Sequence, residues 1–139
     1  MASSNGSRGR DRPDGAIRLV HHEGLRIDSD PLLRLQSNLG PQAAALYIRE
    51  AREELIDLLR LVRSAHESSS FNQLAFRCLR VGSLGLQLGF PGIRDAAANA
   101  SDAAETGEPA AAAATVHRLL RLGLRAVEEM GEMQGVMLR

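Results

Sequence analysis

The chain has 139 residues and no formal net charge, and all 17 of its basic residues are arginine. This length suits one domain, and the lack of lysine excludes a Schiff base, a Walker-type phosphate loop and a lysine general base. A hydrophobic fraction of 44% with only 3% aromatic residues favours helices over a β-sandwich or barrel. A single cysteine excludes a disulfide framework and a cysteine-based zinc site.

The charge and hydropathy patterns also limit the partners and the compartment. A net charge of zero provides no general attraction to nucleic acid or to an anionic membrane. The sequence has no run of about 18 apolar residues, so we expect no membrane span. The start of the chain lacks the apolar core of a secretory signal. We therefore expect a cytoplasmic protein that has neither a nucleic acid nor a membrane as its partner.

The beginning of the chain is predicted to form a flexible arm over residues 1–27. Residues 1–15 are mostly Ser, Gly, Arg, Asp and Pro, and they are too polar to offset the entropy of ordering. Residues 16–29 hold two short apolar clusters around a glycine, a pattern that fits either an extended arm or a frayed helix.

The first clear helix is predicted over residues 31–39. Asp30 is expected to be its N-cap, Pro31 its first residue and Gly40 its C-terminal stop. Its inward-facing side chains are expected to be three leucines, Leu32, Leu35 and Leu39.

The longest predicted helix covers about residues 41–65, after a Gly-Pro corner. Apolar residues recur along it at three- and four-residue steps and form one stripe, which comprises Ala44, Ile48, Ala51, Leu55, Leu58, Leu59 and Val62. Its polar face carries carboxylates with compensating arginines, so we expect solvated surface rather than a carboxylate metal site, at Glu50, Glu53, Glu54 and Asp57.

Three further helices are predicted over 71–88, 91–105 and 109–130. The first begins with a capping box from Ser70 to Gln73. The second is expected to bury Ile93, Ala96, Ala97, Ala100 and Ala104, and the last to bury Val116, Leu119, Leu120, Gly123, Val127 and Met130.

The connectors between the predicted helices are short, so consecutive helices should be antiparallel neighbours. We therefore predict an all-α fold, an antiparallel four-helix bundle with a short additional N-terminal helix. The bundle is assigned to residues 28–130, and residues 131–139 are expected to form a frayed C-terminal tail.

The predicted helix over 71–88 has an unusual composition. No acidic residue occurs between Glu67 and Asp95. A stripe of small residues fits either close packing against neighbouring helices or an open face that a partner approaches, and it comprises Ala75, Cys78, Gly82, Gly85 and Gly89. Some large apolar side chains of this helix are expected to be exposed, because they cannot all be buried alongside that stripe. These are Phe76, Leu79, Leu84 and Leu86.

The order of these elements resembles that of a histidine-containing phosphotransfer (HPt) domain over about residues 28–130. The most specific local matches are LG at 39–40 with the helix after it, and LGFPGI at 88–93. HPt domains are four-helix bundles that pass a phosphoryl group between receiver domains in two-component phosphorelays. The resemblance therefore implies a signalling role.

The histidine of the HPt motif is missing from this chain. That motif is a histidine with an apolar residue two positions on, a lysine three on and a glycine four on. Alignment without a gap from 88–89 puts Leu79 at the histidine position, and a gapped alignment puts Arg77 there, with Arg80 at the lysine. Neither side chain offers the nucleophilic imidazole nitrogen that phosphotransfer needs.

The resemblance thus implies a non-enzymatic HPt-like protein that binds a receiver domain or a histidine kinase and modulates a phosphorelay. A receiver's phosphorylation pocket is lined by acids, which an acid-free helix with arginines complements. The expected partner-binding residues are Arg77, Leu79, Arg80, Ser83, Leu84 and Gln87. Two alternatives remain open, namely phosphotransfer through His117 or His66, and an unrelated helical adaptor or homodimer.

The other candidate sites are weaker, and no cofactor or metal is predicted. His66 is expected to be a solvated connector residue, and His117 to lie on the polar face of the last helix. The pair at 21–22 lacks further ligands at a recognisable spacing. Cys78 is expected to be a packed core thiol. No catalytic Ser-His-Asp set and no phosphate-binding glycine loop is present in the sequence.

Overall fold

The computed structural model of the protein describes residues 25–137. This part of the chain is all-helical, as predicted, and contains five helices and no strand. The helices are α1 (Asp30–Leu39), α2 (Pro41–Glu67), α3 (Phe71–Leu88), α4 (Pro91–Thr106) and α5 (Pro109–Met137).

Proline and glycine set the helix boundaries largely where the sequence predicts them. α2, α4 and α5 each begin at a proline, whose missing N–H is not needed in the first helical turn. α1, α3 and α4 are each followed by a glycine with positive φ, at 86° for Gly40, 98° for Gly89 and 71° for Gly107. L side chains rarely adopt this conformation, so glycine ends each helix at low cost.

The predicted N-cap contacts are wrong, although the helices begin within one residue of their predicted starts. Asp30 is the first residue of α1, and its backbone N–H donates to the Asp28 carboxylate at 3.1 Å. Ser70 precedes α3, but its side chain makes no hydrogen bond to the helix. Its Oγ lies 3.1 Å from that of Ser68.

The two ends of the described chain differ from the predicted boundaries. Residues 1–24, most of the predicted flexible arm, lie outside the described residues, and so do 138–139. Leu25 is buried in the core, and the Asp28 N–H donates to the Gly89 carbonyl at 2.7 Å. α5 continues to Met137 instead of fraying after 130, because Met133 still packs against the core.

The core lies inside a ring of four helices. α2 packs against α3 and α5, α4 packs against the same two helices, and α1 packs on α2 with a smaller contact to α3. Every inward residue predicted for α2, α4 and α5 is buried. The prediction is less accurate on α1, where Leu32 is buried, Leu35 is partly buried and Leu39, the last residue of the helix, is 51% exposed.

The small residues of α3 serve close packing against α4. A Cβ atom built at Gly82 would lie 2.9 Å from the Ala97 Cβ, and one at Gly85 would lie 2.7 Å from the Ile93 Cγ2. Since Cβ atoms essentially never approach so closely, the two backbones depend on glycine at both positions. The interpretation as a packing stripe is confirmed, and the interpretation as an open, partner-accessible stripe is wrong.

We expect Gly82→Ala to lower the free energy of unfolding by about 1 kcal/mol. The overpacking cost of about 1–3 kcal/mol exceeds the gain in helix propensity of about 1 kcal/mol. The Ala97 methyl cannot rotate away, so α3 and α4 must separate. Urea denaturation monitored by circular dichroism measures this loss.

Two variants serve as controls for this prediction. Gly135 lies in α5 with nothing within 4 Å of a built Cβ, so Gly135→Ala should be neutral or slightly stabilising. Adding Ala97→Gly to Gly82→Ala removes the clashing methyl and should restore most of the lost stability. Equal destabilisation by the two glycine substitutions would contradict the close approach of α3 to α4.

Candidate functional site

An open groove of about 590 Å³ lies between α2 and α3. Residues at three- and four-residue spacing on each helix share one face, and the two faces together form its walls. α2 contributes Tyr47, Glu50, Ala51 and Glu54, and α3 contributes Phe76, Leu79, Arg80, Ser83, Leu84 and Gln87. We refer to these ten residues as the α2–α3 groove.

The structure brings five of the six expected partner-binding residues into this groove. These five are Leu79, Arg80, Ser83, Leu84 and Gln87. Arg77 does not line the groove. Its guanidinium donates instead to the Leu61 carbonyl of α2, at 2.9 Å.

The groove has an apolar rim and an apolar floor. Phe76 is 63% exposed and Leu79 is 50% exposed, whereas Leu84 is buried. The expectation that α3 leaves some large apolar side chains uncovered is confirmed, but Leu84 is not one of them. Two large exposed side chains on one wall provide an anchor for a partner surface.

The charges of the groove come from both helices. The Arg80 guanidinium lies 3.9 Å from the Glu54 carboxylate, and both side chains are about half exposed. An exposed ion pair of this kind contributes about 0–1 kcal/mol, so a partner can replace either member at low cost. Glu50 adds a second carboxylate to the α2 wall. α3 has no acidic residue, but the carboxylates of α2 give the groove a mixed charge.

The groove is suited to noncovalent binding. Its lining contains apolar, amide, hydroxyl and charged side chains, but neither an imidazole nor a thiol. Leu79, at the position that the ungapped alignment gives to the HPt histidine, lies on the rim.

His66 and His117, which the sequence did not predict to be neighbours, lie together near the end of α2. His66 belongs to the last turn of α2 rather than to a connector. Its ring centroid is 5.8 Å from that of His117 on α5, and the two rings are nearly perpendicular, at 87°. Along α2, His66 is about 18 Å from Glu54, at about 1.5 Å per residue. The pair is therefore separate from the α2–α3 groove.

Cys78 is fully buried in the core, as the sequence predicts. Desolvation by burial raises the pKa of its thiol from 9.0 to about 11. The thiol therefore stays protonated near neutral pH and is not a nucleophile of the folded protein.

The free energy of unfolding should fall between about pH 9 and pH 11 because of Cys78. Its folded pKa is raised, so the stability is fully present below the unfolded pKa and is lost as pH rises through the folded pKa. At pH 10 the loss should be about 1 kcal/mol, since the unfolded thiol ionises first.

Urea denaturation at several pH values measures this loss, with Cys78→Ala as the control. This variant keeps every other group that titrates at high pH, so the difference between the two pH profiles belongs to the thiol. Parallel profiles for the two proteins would contradict the raised pKa.

Comparison of the chain with protein-family models, with curated proteins and with solved structures finds no match in any of the three. None of the helices within 25–137 is long and apolar enough to cross a membrane. The same residues contain no group of three or more His, Cys, Asp or Glu side chains that could hold a metal ion.

Proposed function

We propose that this protein is a non-enzymatic, HPt-like binding protein that docks a receiver domain and thereby modulates a two-component phosphorelay. The observation that carries the proposal is the position and exposure of Leu79. It occupies the position of the HPt histidine in the ungapped alignment, and it is half exposed on the rim of a groove. A histidine kinase that carries such a receiver is the same kind of partner.

The proposal includes an antiparallel four-helix bundle of α2–α5, with α1 as the short additional helix. Two features support it. The connectors between consecutive helices have only one to three residues in the described chain, which favours reversal of chain direction. Each of the four helices also packs against two others in a ring. We assign the protein to the cytoplasm together with the receiver domain that it would bind.

Docking would use the apolar rim and the exposed ion pair together. Phe76 and Leu79 would pack against an apolar centre on the partner, as buried anchors do in most interfaces. Arg80 would exchange Glu54 for a carboxylate of the receiver's acidic pocket. Glu50 and Glu54 would then require a basic group beside that pocket, which adds specificity because a uniformly acidic surface is repelled.

The lack of an imidazole in the groove determines how docking would affect the receiver's phosphoryl group. A receiver held at the groove is covered at its phosphorylation pocket but finds no acceptor nitrogen there, so its phosphoryl group stays in place. The protein would then compete with active phosphotransfer proteins for the same receiver surface.

Leu79→Asp should weaken binding to a receiver domain by about 2 kcal/mol, or roughly thirtyfold in Kd. The reason is that a carboxylate replaces an apolar anchor at the rim. Isothermal titration calorimetry against the receivers of the source organism measures the change. Arg80→Glu should weaken the same complex and reduce its dependence on salt.

Matched controls lie outside the groove. Leu124 on α5 is 52% exposed, so Leu124→Asp adds the same charge at similar exposure and should leave Kd unchanged. Arg60 pairs with Asp57 at 3.4 Å, so Arg60→Glu is the counterpart of Arg80→Glu. Equal losses in the groove and control variants, or none in either, would refute the docking surface.

A homodimer is the second candidate function, favoured by the same exposed side chains, Phe76 and Leu79. Sedimentation velocity of the unmodified chain over a range of concentrations separates the two candidates. A dimer that Leu79→Asp abolishes would favour self-association, whereas a monomer at all concentrations would favour the receiver.

We expect no phosphorylation of this chain by a phosphorylated receiver. His66 and His117 are the alternative acceptors, but both lie far from the groove. Incubation with a radiolabelled phosphoreceiver, followed by a test for acid-labile label, checks this. Label that His66→Gln or His117→Gln removes would show phosphotransfer and overturn the non-enzymatic role.

A further inference from the structure

The histidine pair at the end of α2 has a geometry that the docking function does not use. His66 and His117 come from two helices that are distant in sequence but packed together. Their ring centroids are 5.8 Å apart. His66 is partly exposed and His117 is exposed, so a ligand can reach both rings from solvent. Imidazole is the commonest protein ligand of transition metals.

We propose that His66 and His117 together bind one divalent transition-metal ion, such as Zn²⁺. A zinc-to-nitrogen bond of about 2.1 Å places the centroid of a bound imidazole about 3.2 Å from the metal. Two rings on one ion therefore have centroids about 5–6.5 Å apart, for angles between tetrahedral and linear. The observed separation falls inside this range. Coordination would require each ring to turn one nitrogen toward the shared point by rotation about its Cβ–Cγ bond.

The position of the pair at a helix end also favours a cation. His66 is in the last turn of α2, at the negative end of the helix dipole. The backbone N–H of Ser69 donates to the His66 carbonyl, at 3.1 Å, and this contact closes the end of the helix. Water would complete the coordination, which leaves the ion an open site.

A metal bound there would join α2 to α5 across a helix contact. The ion would need both rings in their folded positions, so it would bind the folded state in preference to the unfolded chain. Binding of this kind raises the free energy of unfolding with the logarithm of the ligand concentration above Kd. The site is independent of the α2–α3 groove, and it would hold even if receiver binding failed.

The test uses the full chain in a background of His21→Gln with His22→Gln. This background leaves His66 and His117 as the only histidines, and Cys78 is buried. We expect Zn²⁺ and Ni²⁺ to bind with a stoichiometry of one in calorimetry and to raise Tm with the logarithm of the metal concentration above Kd. Mg²⁺, which prefers oxygen ligands, should leave Tm unchanged.

His117→Gln and His66→Gln, each in that background, should abolish the metal-dependent rise in Tm. Circular dichroism of the metal-free variants shows whether they fold, and His117 is exposed, so its substitution should be harmless to folding. Proton NMR provides a second readout, in which the Hε1 signals of both rings should shift in the same titration step.

Three results would overturn the metal site. They are the absence of a metal-dependent rise in Tm in the background protein, an unchanged rise after either substitution, and a titration in which only one of the two rings responds. Each of these outcomes is separate from the receiver-binding measurements.

Discussion

The close approach of α3 to α4 is the constraint on which the rest of the structure depends. Gly82 and Gly85 allow the backbone of α3 to lie so close to Ala97 and Ile93 that a Cβ atom at either glycine would clash with them. α4 therefore covers one face of α3. On the remaining surface Phe76 and Leu79 stay exposed, and they complete the groove with α2.

The proposed function rests on the groove, whose lining combines exposed apolar side chains with charged ones. Leu79 stands where the HPt resemblance places a phosphorylatable histidine, and the groove lining offers no other imidazole. The ion pair between Arg80 and Glu54 gives the groove a mixed charge. A partner must therefore match both signs as well as the apolar rim, which is a stronger condition than attraction to a basic helix.

α2 links the two candidate sites. Glu50 and Glu54 lie on the groove wall, and His66 lies in its last turn beside His117. The distance between the two places along this helix means that neither site needs the other in order to bind its ligand. A metal at the histidine pair would act on the contact between α2 and α5, because α5 supplies the second ring.

The sequence by itself determined the helices and the side that each turns to the core. Proline and glycine mark the ends, and apolar spacing gives the buried face, because both act within a few neighbouring residues. Tertiary structure alone decided which faces meet. The apolar spacing along the helices could not show that Arg80 pairs with Glu54, or that Arg77 donates to the Leu61 carbonyl. It also could not show that His66 lies beside His117, or that Leu25 is buried. These contacts join residues far apart in the chain. Periodicity shows which face of a helix is apolar, but not which other helix packs against that face.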